Sequence, residues 1–308
     1  MAWTVVDIPS QAGRTALVTG ANSGLGYHTA LELARRGAEV VLAVRSKAKG
    51  LDAADRIRRE APRARLDVEA LDVASLDSVH AFAERWGGRP IHLLVANAGV
   101  MAVPVRQETP DGFELQFATN FLGHFALGAL LLPDLRAAGG ARLVSLASLA
   151  HLSGRIDFDD LQGRRAYRPW KAYGQSKLAM LMWALQWARR SERGDWGVTA
   201  VAAHPGYART ALQTTGPNLG RPLPAVARGL IHAVEPLISQ SADEGALPVL
   251  RAATDREAET GSYWGPGGLM ELKGTPKPAK IASHARDEAA ASRLWAEAER
   301  LTGIAHPS

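Results

Sequence analysis

Tyr173 and Lys177 are spaced so that their side chains fall on one face of a helix, about one turn apart. A tyrosine hydroxyl titrates at about pH 10, which is too high for ready proton transfer at neutral pH. A neighbouring ammonium favours the phenolate and lowers that pKa. We therefore expect Tyr173 to exchange a proton with an alcohol or carbonyl oxygen, with Lys177 lowering the pKa of its hydroxyl.

Two polar residues earlier in the chain are candidates for the same site. Ser148 follows the apolar segment 142–147, at the predicted carboxyl end of a strand, where ligands bind in open parallel sheets. Ser145 lies within that strand and is expected to point into the sheet packing. Asn120 lies in a mostly apolar helical segment, where an amide must be hydrogen-bonded, so it serves either the site or the packing.

A glycine-rich turn follows the first predicted strand and leads into a helix. It has the pattern T-G-x-x-x-G-x-G over residues 19–26. Glycines let the backbone approach a pyrophosphate, and the helix N-terminus supplies free N–H groups and a positive dipole end. We predict that this turn binds a dinucleotide. The residues assigned to it are Gly20, Asn22, Ser23, Gly24, Leu25 and Gly26.

The end of the second predicted strand bears on which dinucleotide is bound. An acidic residue there would bind the ribose 2′-hydroxyl of NAD, but Val44 occupies the position and Arg45 follows. A guanidinium matches a phosphate in bidentate fashion. The sequence therefore favours NADP(H) over NAD(H), with Arg45 and Ser46 at this end of the cofactor.

These residues need a fold that brings several strand ends together. Apolar segments without strict alternation recur along the chain, and segments of helical spacing separate them. The apolar segments are 15–19, 39–44, 66–70, 91–96, 142–147 and 198–203. This pattern predicts one α/β domain of the Rossmann type, with a doubly wound parallel sheet and helices on both faces. Residues 1–147 form mainly the cofactor-binding half, and residues 148–308 form the catalytic and substrate-binding half. The segment 261–268 is predicted to be a loop, and the last helix is predicted over 285–301 with Ser283 as a possible N-cap.

The order of these motifs over residues 14–210 resembles the short-chain dehydrogenase/reductase family in its standard form. Extended members carry T-G-x-x-G-x-x-G instead. The resemblance implies the catalytic residues Asn120, Ser148, Tyr173 and Lys177, with Tyr173 and Lys177 also touching the cofactor. It further implies cofactor contacts from Asp72, Val73, Asn97, Ala98, Gly99, Pro205, Gly206 and Thr210. Ala96 replaces the first Asn of the family's N-N-A-G motif, and Asp72 could also serve as a helix N-cap.

The insertion at 152–170 and the segment around 120–125 resemble the retinol dehydrogenase and WW-domain oxidoreductase branch of this family. The branch implies a lipophilic substrate, and the segment 207–225 is expected to form a lid. Candidate residues for an apolar pocket are Met101, Val103, Tyr207, Leu212 and Trp264, for which ordinary core packing is the alternative. The nearby His124, His151 and His204 are expected to make structural hydrogen bonds.

Composition excludes several other functions. The 308 residues contain no cysteine, which rules out disulfides, thiolate metal ligands and a cysteine nucleophile, and the histidine spacing predicts no metal site. The net charge of +5 is spread along the chain, so no nucleic-acid partner is expected. A signal peptide and a membrane-spanning stretch are both missing, which favours a cytoplasmic protein without a membrane partner.

We therefore predict an NADP(H)-dependent ketone or aldehyde reductase, or alcohol dehydrogenase. Its substrate would be a lipophilic or secondary-metabolite-like small molecule. Two alternatives use the same scaffold: a C=C reductase, dehydratase or epimerase, and an NADP-sensing regulator without activity. The intact pair of Tyr173 and Lys177 argues against the regulator. Family members often pair through the Tyr173 helix, so a homodimer or homotetramer is also expected. Trp183 and Trp187 on that helix are expected in the core or at such an interface.

Overall fold

The computed structural model describes residues 2–208 and 239–306. Of the predicted site residues, Thr210 and Leu212 lie outside these ranges, as does most of the predicted lid at 207–225.

Within these ranges, eight strands form one continuous sheet in the order β3-β2-β1-β4-β5-β6-β7-β8. Strands β1 to β7 run parallel, and β8 pairs antiparallel with β7. The strands are β1 Thr15–Thr19, β2 Glu39–Val44, β3 Arg65–Ala70, β4 Leu93–Ala96, β5 Ala141–Leu146, β6 Val198–Ala203, β7 Tyr263–Pro266 and β8 Pro276–Pro278. The predicted Rossmann-type α/β domain is confirmed. The reversal of strand order between β1 and β4 creates a crevice at the carboxyl edge, where ligands bind in such sheets.

Nine helices in the described ranges connect and cover the strands. They are α1 Gly24–Arg35, α2 Lys47–Glu60, α3 Leu76–Trp86, α4 Leu115–Phe117, α5 Gly123–Leu130, α6 Leu132–Ala137, α7 Pro169–Arg193, α8 Ala242–Thr254 and α9 Glu288–Thr302. A short π-helical segment, Ala118–Leu122, joins α4 to α5. None of these helices is long and apolar enough to cross a membrane.

The central strands, such as β1, β4 and β5, are mainly apolar because both faces of the sheet are covered there, whereas the edge strand β3 alternates with exposed charged residues. Neighbouring residues of a strand point to opposite faces. Leu17 of β1 belongs to the core cluster that contains α3, α5 and α7, whereas Ala16 and Val18 belong to the cluster that contains α1, α2 and α8. All three side chains are fully buried. The two layers hold the sheet rigid, so the strand ends present the site residues in fixed positions.

Trp183 and Trp187 lie in the core, which is one of the two locations predicted for them. Their rings meet edge to face, with 5.6 Å between centroids. Trp295 of α9 packs against Trp187, and Gly128 of α5 leaves room for both rings, since a Cβ atom there would lie 2.9 Å from Trp187. The C-terminal helix therefore covers this part of α7 within the same chain.

In the C-terminal third, the predicted loop at 261–268 is wrong, and the predicted last helix is present but begins three residues later than expected. The segment 261–268 contains β7, whose pairing with β6 joins residues far apart in sequence, such as Ala202 and Tyr263. The last helix begins at Glu288, where Asp287 is the N-cap and accepts a hydrogen bond from Ala290 N. Ser283 instead begins a separate 3₁₀ turn that ends at Arg286.

Candidate active site

The glycine-rich turn joins the end of β1 to the start of α1. Gly20 has a φ of 66°, a left-handed conformation that glycine adopts without strain. A Cβ atom on Gly26 would lie 2.5 Å from Asn97 Nδ2 and 2.6 Å from Gly20 O. Ser23, the N-cap of α1, makes no capping hydrogen bond with its side chain. The first-turn N–H groups of α1 therefore remain available to an anion at this end of the helix.

Thr19 holds the carboxyl ends of β1 and β4 together. Its Oγ1 accepts hydrogen bonds from the backbone N–H groups of Asn97 and Ala98, each at 2.9 Å, and lies 2.9 Å from His124 Nε2. Burial lowers the pKa of His124 to about 4, so its imidazole is neutral. His124 Nδ1 lies 3.0 Å from Asn120 O and donates to it, which leaves Nε2 to accept from Thr19. His124 thus has the structural role predicted for it, but the sequence analysis did not identify Thr19 as its partner.

A cleft of about 390 Å³ opens above this turn. Thirteen of the predicted cofactor residues line it: Gly20, Asn22, Ser23, Gly24, Leu25, Gly26, Arg45, Ser46, Asp72, Val73, Asn97, Ala98 and Gly99. Seven further lining residues were not predicted, and these are Thr19, Ala43, Lys49, Leu71, Val100, Thr119 and Leu146. Most of these immediately neighbour predicted residues at strand ends.

The end of β2 presents positive charge to this cleft. Arg45 is exposed and forms no hydrogen bond or ion pair with any other described residue. Ser46 caps α2 by accepting a hydrogen bond from Lys49 N, and the Lys49 side chain also lines the cleft. Two exposed cations beside a helix N-terminus suit a phosphate group.

The opposite wall of the cleft is set by the loop after β3. Asp72 Oδ1 accepts a hydrogen bond from Ala74 N at 3.0 Å. The N-cap of α3 is Ser75, so the suggested capping role of Asp72 is wrong. A Cβ atom at Gly123 would collide with Val73 O. Because glycine has no Cβ, the start of α5 can pack directly against the loop after β3.

Ser148 follows β5 at the carboxyl edge of the sheet. Its Oγ accepts a hydrogen bond from Ala150 N at 3.2 Å, and its carbonyl oxygen accepts one from His151 Nδ1 at 2.7 Å. These bonds fix the backbone and use only acceptor positions of Ser148, so its hydroxyl hydrogen can donate to the Tyr173 side chain. Ser145 points into the packing as predicted, and its hydroxyl donates to Met180 O at 2.9 Å.

Tyr173 and Lys177 lie on α7, and both side chains are buried. Lys177 Nζ donates a hydrogen bond to Leu146 O at 2.8 Å. Burial raises the pKa of Tyr173, although a hydrogen bond with the Ser148 side chain acts in the opposite direction. Burial lowers the pKa of Lys177 to about 8. The predicted lowering of the Tyr173 pKa by Lys177 is therefore wrong, because removal from water dominates the pKa of both groups.

Asn120 lies within the π-helical segment, a distortion that is frequent at functional sites. Its Oδ1 accepts from Val100 N at 2.8 Å, and its Nδ2 donates to Val100 O at 3.0 Å and to Ser176 Oγ at 2.8 Å. A Cβ atom on Gly99 would lie 2.9 Å from Asn120 Oδ1 and 3.6 Å from Lys177 Nζ. Asn120 therefore joins the wall of the cleft to the helix that carries Tyr173 and Lys177.

The insertion at 152–170 is fastened to the start of α7. Gln175 accepts a hydrogen bond from Asp157 N at 2.8 Å and donates one to Leu161 O at 2.9 Å. Tyr167 OH donates to Val103 O at 2.6 Å, which ties the insertion to the connection after β4. The insertion is therefore held against the part of α7 that carries Tyr173.

The apolar pocket stays a prediction for most of its candidate residues. Met101 and Tyr207 are partly buried, whereas Val103 is buried, and all three follow strands at the carboxyl edge. Trp264 is buried in the layer of α1 and α8, and the Arg251 guanidinium lies 4.2 Å from its ring centroid. Its prediction as a pocket residue is therefore corrected. The neighbouring Tyr263 faces the α7 layer instead, since adjacent strand residues point to opposite faces.

The parallel sheet and the cleft at its carboxyl edge define a nucleotide-binding protein of the Rossmann type. The short chain dehydrogenase family model matches residues 14–218, and the chain belongs to this family of oxidoreductases that act on alcohol or carbonyl groups. The family predicted from the sequence is confirmed.

Similar proteins come from animals and bacteria. The chain is 44% identical over 305 residues to the polyprenol dehydrogenase of Mus musculus, covering 96% of this chain and 86% of that one. It is 41% identical over 308 residues to retinol dehydrogenase 13 of Homo sapiens, covering 97% and 88%. A crystal structure of an uncharacterised protein from Mycobacterium paratuberculosis has a TM-score of 0.82 at 40% identity, covering 100% of both chains.

Proposed function

We propose that this protein is an NADP(H)-dependent oxidoreductase that interconverts a carbonyl group and an alcohol on a lipophilic small molecule. One observation carries the proposal. Ser148 and Tyr173 share a side-chain hydrogen bond, and Lys177, one helical turn after Tyr173, donates to the end of β5. Gly99 lies beside both Asn120 and Lys177 and lines the cleft. The cleft suits a dinucleotide because its glycines leave no space for a Cβ atom and its helix N-terminus keeps free N–H groups.

Each residue has a defined task in reduction. The Ser148 hydroxyl donates a hydrogen bond to the substrate oxygen, and Tyr173 transfers its proton to the same oxygen. Lys177 stabilises the resulting phenolate and binds the ribose of the cofactor. Asn120 keeps the connection between α7 and the cleft wall in place and supports proton return to Lys177 through water. The bound nicotinamide supplies the hydride.

The preference for NADP(H) rests on Arg45 and Lys49. Both side chains are exposed and line the cleft where an adenine ribose would lie. Asp72 also lines the cleft, but it follows β3 rather than β2 and already accepts a hydrogen bond from Ala74 N. A 2′-phosphate would find two cations here, whereas a 2′-hydroxyl would lack the acidic partner that NAD sites supply.

The lipophilic substrate is supported by apolar residues exposed at the carboxyl edge of the sheet. Among the described residues, seven large hydrophobic side chains are exposed, and five of them follow the carboxyl ends of strands, four in connections and Trp170 at the start of α7. These five are Val105, Leu152, Trp170, Leu269 and Met270. Exposed apolar side chains at the edge where ligands bind in such sheets are candidates to contact an apolar substrate. The names of the two animal relatives, a polyprenol and a retinol dehydrogenase, point to the same class of substrate.

The remaining expectations about partners stay predictions. These are the cytoplasmic location, the absence of nucleic-acid and membrane partners, and a homodimer or homotetramer. Since α9 covers Trp187 within the chain, a subunit contact through α7 would have to use other positions of that helix.

The test is a screen of aliphatic, aromatic and long-chain isoprenoid aldehydes with NADPH and with NADH, with product analysis by mass spectrometry. We expect an alcohol as product, and we expect Tyr173→Phe to lower kcat/KM by about 10²- to 10⁴-fold, with a much smaller effect on NADPH binding measured by calorimetry. Saturation of a C=C bond, or conversion without net consumption of NADPH, would favour the alternative chemistries. Failure to bind either nucleotide would refute the proposal.

A further inference from the structure

We propose that Glu271 is a positioning residue, which acts through His204 on the Pro205–Gly206 turn. This inference rests on the proposed function, because in an NADP(H)-dependent enzyme the Pro205–Gly206 turn would border the nicotinamide end of the cofactor. Glu271 lies in the connection between β7 and β8, and neither its residue type nor its spacing relates it to the motifs of the sequence.

Both ring nitrogens of His204 have assigned partners. His204 is fully buried, and its Nδ1 accepts a hydrogen bond from Gly206 N at 3.2 Å. Since a backbone N–H can only donate, Nδ1 carries no proton. The proton of the neutral ring is therefore on Nε2, which lies 3.0 Å from Glu271 Oε2 and donates to it. Glu271 thus selects the tautomer in which His204 can hold the turn.

The carboxylate of Glu271 is itself fixed at both oxygens. Oε1 accepts a hydrogen bond from Lys280 N at 2.9 Å, and Oε2 accepts the one from His204. The hydrogen bond from His204 lowers the pKa of Glu271, so the group is ionised at neutral pH. An ionised acceptor makes the bond to the buried imidazole stronger than a neutral one would.

The same connection also packs against the turn itself. The His204 ring lies against the backbone of β7, where a Cβ atom on Gly265 would collide with it. A Cβ atom on Gly206 would likewise collide with Leu272 O, and Tyr207 N donates to that oxygen at 2.8 Å. The turn after β6 is therefore held between His204 on one side and Leu272 on the other.

Backbone strain accompanies this arrangement. Met270 and Glu271 have φ values of 52° and 58°, a left-handed conformation that is unfavourable for residues with a side chain. Leu269 and Met270 are 85% and 75% exposed, so burial of their side chains does not compensate for it. The hydrogen bonds of the Glu271 carboxylate with His204 and Lys280 compensate for this strain. Strain of this kind persists only where the surroundings impose it, and it is concentrated at functional sites.

The chain of contacts continues from His204 toward the catalytic serine. The His204 and Tyr263 rings are 5.1 Å apart between centroids, and Tyr263 OH lies 3.5 Å from His151 Nδ1. The same Nδ1 donates to Ser148 O at 2.7 Å. Displacement of His204 would therefore loosen the side of the site that carries Ser148 as well as the Pro205–Gly206 turn.

The experiment compares the wild-type protein with Glu271→Ala, Glu271→Gln and His204→Gln. Glu259→Ala is the control, because this exposed glutamate lies outside the contacts described above. We expect Glu271→Ala to raise the Kd for NADPH and to lower kcat, each about 10-fold, since a charge-assisted hydrogen bond is lost. Glu271→Gln, whose amide oxygen can still accept from Nε2, should recover most of both values. The control should match the wild-type protein.

Two further measurements separate positioning from general stability. If Glu271 acts only through His204, then Glu271→Ala should have no further effect on the Kd in a His204→Gln background. In the wild-type protein, ¹⁵N NMR of the histidine rings should show the Nε2–H tautomer for His204, assigned by its loss in His204→Gln, and Glu271→Ala should change that signal.

The outcomes are distinct. A lower Tm for Glu271→Ala with unchanged Kd and kcat, or additive effects of the two substitutions, would overturn the positioning role. Observation of the Nδ1–H tautomer of His204 in the wild-type protein would also overturn the positioning role, and this measurement needs no cofactor. Failure of the wild-type protein to bind NADPH while the tautomer is as expected would refute the proposed function and leave the contact between Glu271 and His204 established.

Discussion

Lys177 Nζ lies 2.8 Å from the carbonyl oxygen of Leu146, the last residue of β5. The ammonium is thereby held at the strand end that lines the cleft, although the residue is only 5% exposed. A buried ammonium is destabilised relative to its neutral form, and burial lowers the pKa of Lys177 to about 8. The group is therefore close to titration under ordinary assay conditions.

The rate of carbonyl reduction should fall as the pH rises through about 8. Below this pH Lys177 is charged and can stabilise the phenolate, and the raised pKa of Tyr173 keeps its hydroxyl protonated as the donor. Above this pH Lys177 loses its charge, while the Tyr173 hydroxyl is still protonated. The measurement is kcat/KM for reduction as a function of pH, with Lys177→Arg as a variant that keeps its charge. A profile that stays flat to about pH 10 would contradict this assignment.

Replacement of Lys177 by Met should stabilise the fold while it abolishes turnover. The folded-state pKa of about 8 lies below the ordinary value of 10.5, so the charged form is penalised in the folded state. The free-energy cost of burying the charged Lys177 applies in full below pH 8. It disappears above the pKa of 10.5 that the group has in the unfolded chain. We expect about 1–3 kcal/mol of added stability at pH 7, after loss of the bond to Leu146.

Urea denaturation at pH 7 measures this change in stability. Lys171→Met is the matched control, because Lys171 is exposed and its ion pair with Asp157 contributes little. A clear loss of stability for Lys177→Met would show that the hydrogen bond to Leu146 outweighs the cost of burying the charge.

Reversal of charge at Arg45 should change the choice of cofactor. We expect Arg45→Asp to weaken NADPH binding about 10- to 100-fold, as loss of a charge-assisted phosphate contact implies, while NADH binding holds or improves. Calorimetric titration with each nucleotide gives both values. Arg63→Asp, an exposed arginine beyond the end of α2, makes the same change in net charge and controls for long-range electrostatics. Equal weakening in both variants would argue against a direct contact.

Trp170 should contribute to the recognition of long apolar substrates. It is 60% exposed and meets Tyr173 edge to face, with 6.1 Å between ring centroids. Truncation to Ala should raise KM about 10-fold for a long-chain aldehyde, from the apolar contact area lost, and leave KM for a short one unchanged. Val6→Ala, at an exposed valine near the N-terminus, is the control. An equal effect on both substrates would point to a change in Tyr173 instead.

The parts of the fold that could be predicted are those fixed by local pattern. Buried strands such as β1 and β2 are continuous apolar runs, and the glycine-rich turn has a spacing that its backbone geometry requires. β7 escaped prediction because Gly265 and Pro266 look like turn residues, and only the pairing with β6 makes the segment a strand.

The site could be predicted to the extent that its residues follow strand ends. Ser148, Tyr173 and Lys177 lie where their positions relative to β5 suggested. The exact pKa balance could not be predicted, because it depends on burial by α7 and the insertion. Glu271 could not be found either, since its contact with His204 spans 67 residues and depends on a strained connection.

The exposure of Trp170 also makes it a reporter within the natural protein. The chain has eight tryptophans, and the other seven, from Trp3 to Trp295, are buried. A collisional quencher such as acrylamide at low concentration, or iodide, would therefore suppress the emission of Trp170 first. Because this indole contacts Tyr173, an apolar substrate bound next to Tyr173 should shield it. The binding of such a substrate can therefore be followed without a label and before any product forms.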